Sequence, residues 1–384
     1  MNLLDLQTKE ERQKALLEII KPFKERAAKH DEEASFPFEN FQELKNARYT
    51  ALTVPQKYGG AGISLSELLS LQQLIAEADG STALAVGWHM GITKHLGENN
   101  VWDEATYRRF AENVVKTGAL INNAASEPAT GSPTRGGKPE TTATLTADGW
   151  VLNGRKTFTT LAPVLDYIVV SAFIKDQDKV ANFLVRRGLP GVQVEETWDS
   201  IAMRGTGSHD LILENVPINK DDLVENLTPG KKPAAGWLLH IPACYLGIAR
   251  AAQRHALDFA TSYSPNSVEG TISDLPNVKQ KLGDIELALM ESTYFLQAVA
   301  QEWDSATDDT RNQMKPTLGA VKLSVVNKAL EAVDLAMRVA GARSLSRKNP
   351  LQRYYRDVRA GLHNPPMDDM TIMQLADKSI KENE

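Results

Sequence analysis

Apolar residues recur every three or four positions over the first third of the chain, which is the spacing of one face of an α-helix. One such face follows Ser64, where Glu67 three residues further on predicts a capping box. The next run, residues 80–100, is rich in small and apolar side chains, so we expect it to be buried. Residues 1–120 are therefore predicted to form an N-terminal all-α domain.

The pattern changes near residue 121, where short runs of β-branched and aromatic residues replace the helical spacing. The strongest run is 167–174, and Asp148 followed by Gly149 is a strong signal for a hairpin turn. Weaker runs that are typical of further strands lie at 141–145, 150–152, 182–185, 191–194 and 211–216. Residues 121–226 are therefore predicted to form a middle β domain.

From Gly236 the helical spacing returns and continues over two long stretches. Their apolar positions step by three and four with gaps: Val278, Leu282, Ile285, Leu289, Leu296, Val299 and Trp303, then Leu318, Val321, Val325, Ala332, Ala336 and Val339. Long amphipathic helices in series are typical of an antiparallel bundle. We expect a linker at 227–235 and a C-terminal four-helix bundle within 227–384. The predicted fold class is α+β, with the all-α part, the β part and the bundle in that order.

Composition narrows the class of protein without naming a reaction. The 384 residues carry a net charge of −6, and the absence of a basic stripe argues against a nucleic-acid partner. The single cysteine, Cys244, excludes an internal disulfide and is expected to be a buried small side chain. No paired-histidine spacing predicts a metal site. No apolar run is long enough for a signal or a membrane span, so we expect a cytoplasmic protein without a membrane partner.

Four stretches of the chain together resemble the acyl-CoA dehydrogenase superfamily over nearly its whole length. They are, in order, LTVPQKYGGAGIS, AASEPATGS, WVLNGRKTFTT and WDSIAMRGTGSHDLILENVPI. The resemblance implies a flavin-dependent enzyme and places flavin contacts at Ser126, Ser132, Phe158 and Thr160. These residue types suit a flavin, which needs polar groups at its ring heteroatoms and an apolar or aromatic wall.

The resemblance implies FAD as the cofactor, with FMN as the alternative. The glycine-rich segment near the end of the bundle, which the superfamily uses for the adenosine end of FAD, is reduced here to Ala340-Gly341-Ala342-Arg343. The superfamily's Arg-x-x-Phe-Gly segment is replaced by YSPNSVEGTISDLP. The superfamily also implies a homodimer or a homotetramer.

The usual catalytic base is missing. Acyl-CoA dehydrogenation needs a carboxylate that removes the proton next to the thioester. At the two positions where the resemblance places a glutamate, this chain has Pro365 and Trp237. The substitutes that we predict are His363 and Asp368, with Asp369 as a neighbouring choice.

The segment RDVRAGLHNP is similar to flavin monooxygenases of the superfamily, such as dibenzothiophene monooxygenase. His363 and His89 match two histidines of that branch, which gives both a predicted catalytic role. The predicted function is α,β-dehydrogenation of an acyl-CoA thioester with hydride transfer to flavin. The alternative is a two-component monooxygenase that uses O2 and reduced flavin. A third reading is a non-enzymatic flavin- or CoA-binding protein.

Each reading implies different partners. A dehydrogenase would bind an acyl-CoA and pass electrons to an electron-transfer protein. A monooxygenase would bind another small organic substrate and take its flavin from a separate reductase.

Overall fold

The computed structural model of the protein describes residues 2–130, 137–227, 233–267 and 269–383. A helical part comes first, a β-sheet follows, and a helical bundle ends the chain, which confirms the predicted α+β class. The residue boundaries predicted between the three parts stay predictions. The helices of the first part are α1 (Lys9–Glu33), α2 (Phe38–Asn46), α3 (Leu65–Ala78), α4 (Gly80–Asn99) and α5 (Glu104–Thr117).

A buried ion pair joins the first helical layer. Ser64 caps α3 as expected, because its hydroxyl accepts from the backbone N–H of Glu67 at 3.1 Å. The capping box is only half formed, since the Glu67 carboxylate binds the Arg12 guanidinium at 2.5 and 3.1 Å instead. Both side chains are almost fully buried, so the pair holds α1 against α3. The complete capping box lies at the start of α1, between Thr8 and Glu11.

The strands of the middle part are β1 (Ile121–Ala124), β2 (Thr142–Leu145), β3 (Trp150–Thr159), β4 (Tyr167–Ile174), β5 (Lys179–Arg186), β6 (Val192–Glu195), β7 (His209–Ile218) and β8 (Leu223–Leu227). Among the described residues they form one sheet in the order β6-β7-β3-β2-β4-β5-β8, with β1 parallel to β4. The hairpin expected at Asp148 and Gly149 joins β2 to β3 and is confirmed by their antiparallel register. A Cβ on Gly149 would lie 2.3 Å from the carbonyl oxygen of Ile218, and its φ of +148° favours glycine.

The bundle consists of α6 (His240–Ser262), α7 (Pro276–Ser305), α8 (Asp308–Gln313), α9 (Lys315–Ala340), α10 (Pro350–Arg359) and α11 (Asp368–Glu382). Cys244 is fully buried in α6, which confirms the expectation for this residue. Within the described residues, no helix has the length and apolarity needed to cross a membrane. That part of the chain also contains no group of three or more side chains that could hold a metal ion.

Two neighbouring residues of α10 connect the bundle to the other two parts. Arg356 binds the carboxylate of Asp31 in α1 at 2.5 and 3.0 Å. Asp357 accepts a hydrogen bond of 2.6 Å from the backbone N–H of Met203, between β6 and β7. Burial raises the pKa of the Asp357 carboxyl from its ordinary 3.8 to about 7, although the Met203 N–H and Arg353 act in the opposite direction. This connection therefore depends on a carboxyl that binds its proton unusually well.

The raised pKa predicts how stability depends on pH. The unfolded chain releases the Asp357 proton near 3.8 and the folded protein near 7, so the stabilisation is full below the lower value and is lost as pH rises through the higher one. In Asp357→Asn the amide oxygen still accepts from Met203. We expect this variant to raise the Tm more at about pH 8 than at about pH 5.

Thermal unfolding followed by circular dichroism checks this expectation, with Asp176→Asn, a substitution of an exposed carboxyl, as the control for the change in charge. An equal change in Tm for Asp357→Asn at both pH values would contradict it.

Candidate functional site

The two segments with predicted flavin contacts meet at the end of β3. The backbone N–H of Thr157 donates to the carbonyl of Ser126 at 2.9 Å. The side chain of Asn122 in β1 donates to the carbonyl of Thr160 at 2.8 Å. Ser126, Phe158 and Thr160 are therefore brought to one edge of the sheet. The fourth predicted contact, Ser132, lies outside the described residues.

An irregular strand end turns Phe158 outward. Phe158 has a φ of +54°, which is rare for a bulky side chain. The register between β3 and β7 shifts between Lys156 and Thr159, so a bulge ends the strand here. Phe158 is 66% exposed, and its ring makes an edge-to-face contact with the Trp198 ring at a centroid distance of 6.0 Å. Sequence reasoning gave Trp198 no role, although it lies within one of the resembling stretches.

The hydroxyl of Thr160 ends a chain of buried hydroxyl groups. Thr206 donates to the carbonyl of Met203 at 3.0 Å. Its oxygen lies 2.8 Å from that of Ser208, which lies 2.8 Å from that of Thr160. Because each hydroxyl has one proton and Thr206 has committed its own, Ser208 donates to Thr206 and Thr160 donates to Ser208. The oxygen of Thr160 therefore keeps its acceptor capacity.

A buried ion pair fixes the loop that follows Ser126. The Glu127 carboxylate accepts from Lys156 Nζ at 2.6 Å, from the N–H groups of Glu140 and Thr141 at 2.6 and 3.0 Å, and from the Thr130 hydroxyl at 3.1 Å. The side chains of Glu127 and Lys156 are 1% and 0% exposed. Burial alone would raise the pKa of Glu127, but these donors hold it at about 2. Burial lowers the pKa of the Lys156 ammonium group, and the neighbouring Glu127 carboxylate acts in the opposite direction.

Glu127 and Lys156 lie in two of the stretches that resemble the superfamily, but the sequence did not predict that they pair. Their separation of 29 positions in the chain hides the contact, which only the fold creates.

The predicted catalytic residue His89 lies in the core. Its Nε2 is 2.9 Å from the carbonyl of Thr50, and its Nδ1 accepts from the backbone N–H of Ile121 at 3.1 Å. Burial lowers its pKa to about 4, so the ring is neutral. In this tautomer Nε2–H donates to Thr50 and both nitrogens are occupied. These contacts join α4 to β1 and to the turn at 49–51, while the catalytic role stays a prediction.

The other two predicted catalytic residues lie near the end of the bundle. His363 is exposed at the end of a short helical turn, Ala360–His363. Asp368 accepts from the buried ammonium of Lys322 at 2.9 Å and from the side chain of Asn327 at 3.3 Å. No hydrogen bond or ion pair of the described residues joins His363 to Asp368 or to His89. Their catalytic roles likewise stay predictions.

A group of aromatic rings between α4 and the start of α6 was missed by sequence reasoning. We call Trp88, His95, Trp237 and His240 the aromatic cluster. The ring of His240 stacks on Trp237 at 6.0 Å and 7°, and it meets Trp88 edge-on at 5.0 Å. Burial lowers the pKa of His240 to about 3 and that of His95 to about 4, so the cluster is uncharged at neutral pH. Trp237 stands at one of the two positions where a glutamate was sought.

Family models match all three parts of the chain. Residues 9–99 match the acyl-CoA dehydrogenase N-terminal domain, 122–216 the middle domain and 239–364 the C-terminal domain. A Bacillus subtilis (strain 168) protein, provisionally named acyl-CoA dehydrogenase YdbM, is 50% identical over 94% of this chain and 95% of its own.

More distant relatives carry other activities in their names. Dibenzothiophene monooxygenase of Rhodococcus qingshengii is 27% identical over 84% of this chain and 82% of its own. Among solved structures, KijD3 in complex with FMN and a dTDP-linked amino sugar superposes with a TM-score of 0.83. It is 25% identical and covers 96% of this chain and 94% of its own.

The buried ion pair makes a specific prediction about stability. Lys156→Met leaves the Glu127 charge buried without its partner, and we expect the variant to lose about 3–5 kcal/mol of unfolding free energy. The double variant Glu127→Gln/Lys156→Met removes the stranded charge and should recover part of that loss. Urea unfolding measures both.

The control is Lys138→Met, which breaks the exposed ion pair to Asp178 and should cost at most about 1 kcal/mol. A Lys156→Met variant no less stable than this control would contradict the assignment.

Proposed function

The chain belongs to the acyl-CoA dehydrogenase superfamily of flavin-dependent oxidoreductases, and on that premise we propose that it is a monooxygenase that uses reduced flavin and O2. One observation carries the proposal. Of the two carboxylates predicted to replace the missing glutamate, Asp368 is already paired with Lys322, and Asp369 is exposed and accepts a hydrogen bond from the backbone N–H of Met370. A carboxylate that is paired with an ammonium group, or that is solvated at the surface, is poorly suited to removing a proton next to a thioester.

The edge of the sheet around Phe158 fits a flavin ring. Phe158 is 66% exposed and offers an apolar face, and the Thr160 oxygen two residues further along the chain keeps its acceptor capacity. Phe158 and Trp198 would cover the flavin ring, and Ser126 and Thr160 would bind its heteroatoms. Reduced flavin supplies the two electrons with which O2 gives one oxygen atom to the substrate and one to water. The residues of this chain bind the ring and exclude water.

We propose FMN as the cofactor. Arg343, in the segment where the superfamily holds the adenosine end of FAD, places its guanidinium 4.3 Å from the Tyr263 ring and donates to the Tyr263 hydroxyl at 3.2 Å. A guanidinium packed on an aromatic ring thus stands in a segment where the superfamily has glycines, which supports the smaller cofactor. The FMN bound to the relative KijD3 supports the same choice.

Acyl-CoA dehydrogenation is the second candidate, and the provisional name of the relative with 50% identity favours it. In that case His363 would be the base, because it is exposed whereas His89 is buried and Asp368 is paired.

Two measurements separate the candidates. Protein with bound flavin is mixed anaerobically with butyryl-, octanoyl- and palmitoyl-CoA, and the flavin absorbance is followed. A monooxygenase leaves it unchanged, whereas bleaching by any of the three thioesters would overturn the proposal. Reduced FMN is then mixed with aerated buffer with and without the protein. The protein should delay the return of the oxidised absorbance, and a time course identical to free FMN would also count against the proposal.

The exposed ring of Phe158 gives a test of the cofactor site itself. We expect Phe158→Ala to weaken FMN binding about tenfold, since an aromatic contact of about 1 kcal/mol or more is lost. The Tm should change little, because the ring is mostly outside the core. Leu145→Ala is the matched control, since Leu145 is also an exposed apolar residue of the sheet, at 50%. Fluorescence titration measures both variants, and equal FMN affinities would contradict the site.

A further inference from the structure

His240 is fully buried, yet neither of its ring nitrogens has a hydrogen-bond partner among the described residues. Burying a polar group without a partner costs free energy, so a hydrogen bond from a ligand to either nitrogen of His240 would recover some of that cost. His89 in α4 is buried to the same degree, and both of its nitrogens bind backbone groups. The chain can therefore satisfy a buried histidine, and at His240 the fold does not do so.

A second unpaired polar atom lies beside His240. Gln72 in α3 donates its amide to the carbonyl of Ala83 at 2.6 Å, but its Oε1 has no partner among the described residues. A Cβ on Gly87 would lie 2.4 Å from both His240 Nδ1 and Gln72 Nε2. Only glycine leaves room for both side chains here. The buried side of the aromatic cluster therefore carries unpaired polar atoms, although the rest of the cluster is aromatic.

Three members of the aromatic cluster reach the surface. Trp88, His95 and Trp237 are half-buried, whereas His240 is completely covered. The rings of Trp88 and Trp237 meet edge-on at 5.8 Å, and Trp237 lies 6.0 Å from His95. Burial is the sole cause of the lowered pKa values of His95 and His240, so no nearby charge acts on either ring. A charged ligand would find no counter-charge in the cluster.

We propose that the aromatic cluster binds an uncharged, planar aromatic substrate whose ring packs against Trp88 and Trp237 and whose heteroatom forms a hydrogen bond with His240. A saturated acyl chain would leave both His240 nitrogens unpaired. His240 thus selects for a polar atom, and the tryptophans select for a flat ring. The inference rests on the proposed function in that it names the substrate class of the monooxygenase.

Indole and its carbocyclic analogue indene test the role of His240, because they share a shape and only indole carries an N–H. Isothermal titration calorimetry uses the full chain saturated with oxidised FMN, without reductant. We expect indole to bind about tenfold tighter than indene. His240→Phe should abolish this preference by weakening indole alone. Equal affinities of the native protein for the two compounds, no binding of either, or an unchanged preference in His240→Phe would overturn the inference.

Two further variants keep the test decisive if His240→Phe does not fold. Trp88→Leu and Trp237→Leu should weaken indole and indene by similar factors and keep the preference for indole, because they remove ring contact but not the hydrogen bond. If neither weakens either compound, the cluster is not the binding site.

Thermal unfolding adds a readout that is independent of ligand. His240→Phe removes an unpaired polar group and should not lower the Tm, whereas His89→Phe breaks two backbone hydrogen bonds and should lower it clearly. A loss of Tm in His240→Phe as large as that in His89→Phe would show that His240 has protein partners, against the inference. Because none of these measurements uses O2 or acyl-CoA, failure of the proposed reaction would leave their outcome interpretable.

Discussion

The candidate site depends on one buried ion pair. The carboxylate of Glu127 holds the two described ends of the loop after β1, and Lys156 attaches that carboxylate to β3. Removing two charged groups from water costs free energy, which the ion pair offsets only when further hydrogen bonds complete it. Here the carboxylate oxygens of Glu127 accept from four donors. Two residues beyond Lys156 the strand breaks its register and exposes Phe158. The buried ion pair and the irregular end of β3 are therefore neighbours.

Burial governs the charge of three histidines in the helical parts of the chain. His89, His95 and His240 are all kept neutral because desolvation disfavours the imidazolium. Their hydrogen bonding nevertheless differs, and the difference separates their roles. A paired neutral histidine such as His89 connects elements of the fold, whereas an unpaired one such as His240 is available to a ligand. The lowered pKa values make these imidazoles weak bases, which suits binding of a neutral molecule better than abstraction of a proton.

Sequence patterns predicted the fold well because they record local physical preferences. Helical spacing identified the first and last parts, and a β-branched run with a turn at Gly149 identified the sheet. The site was predicted only in part. Ser126, Phe158 and Thr160, which the resemblance singled out, do converge at the end of β3, but their contacts with flavin stay predictions, and Ser132 is outside the described residues. The aromatic cluster was not found, since Trp88 and Trp237 lie far apart in sequence and no spacing rule relates them.

The sequence by itself determined the α+β architecture, the membership of the superfamily and the absence of the usual glutamate. Each follows from residue type and order, which need no coordinates. Only the tertiary structure decided which polar groups are already satisfied. Glu127 pairs with Lys156 and Asp368 pairs with Lys322, whereas His240 has no hydrogen-bond partner among the described residues. Hydrogen bonding and desolvation depend on what surrounds a side chain in three dimensions, so the same residue type is structural at one position and free to bind at another.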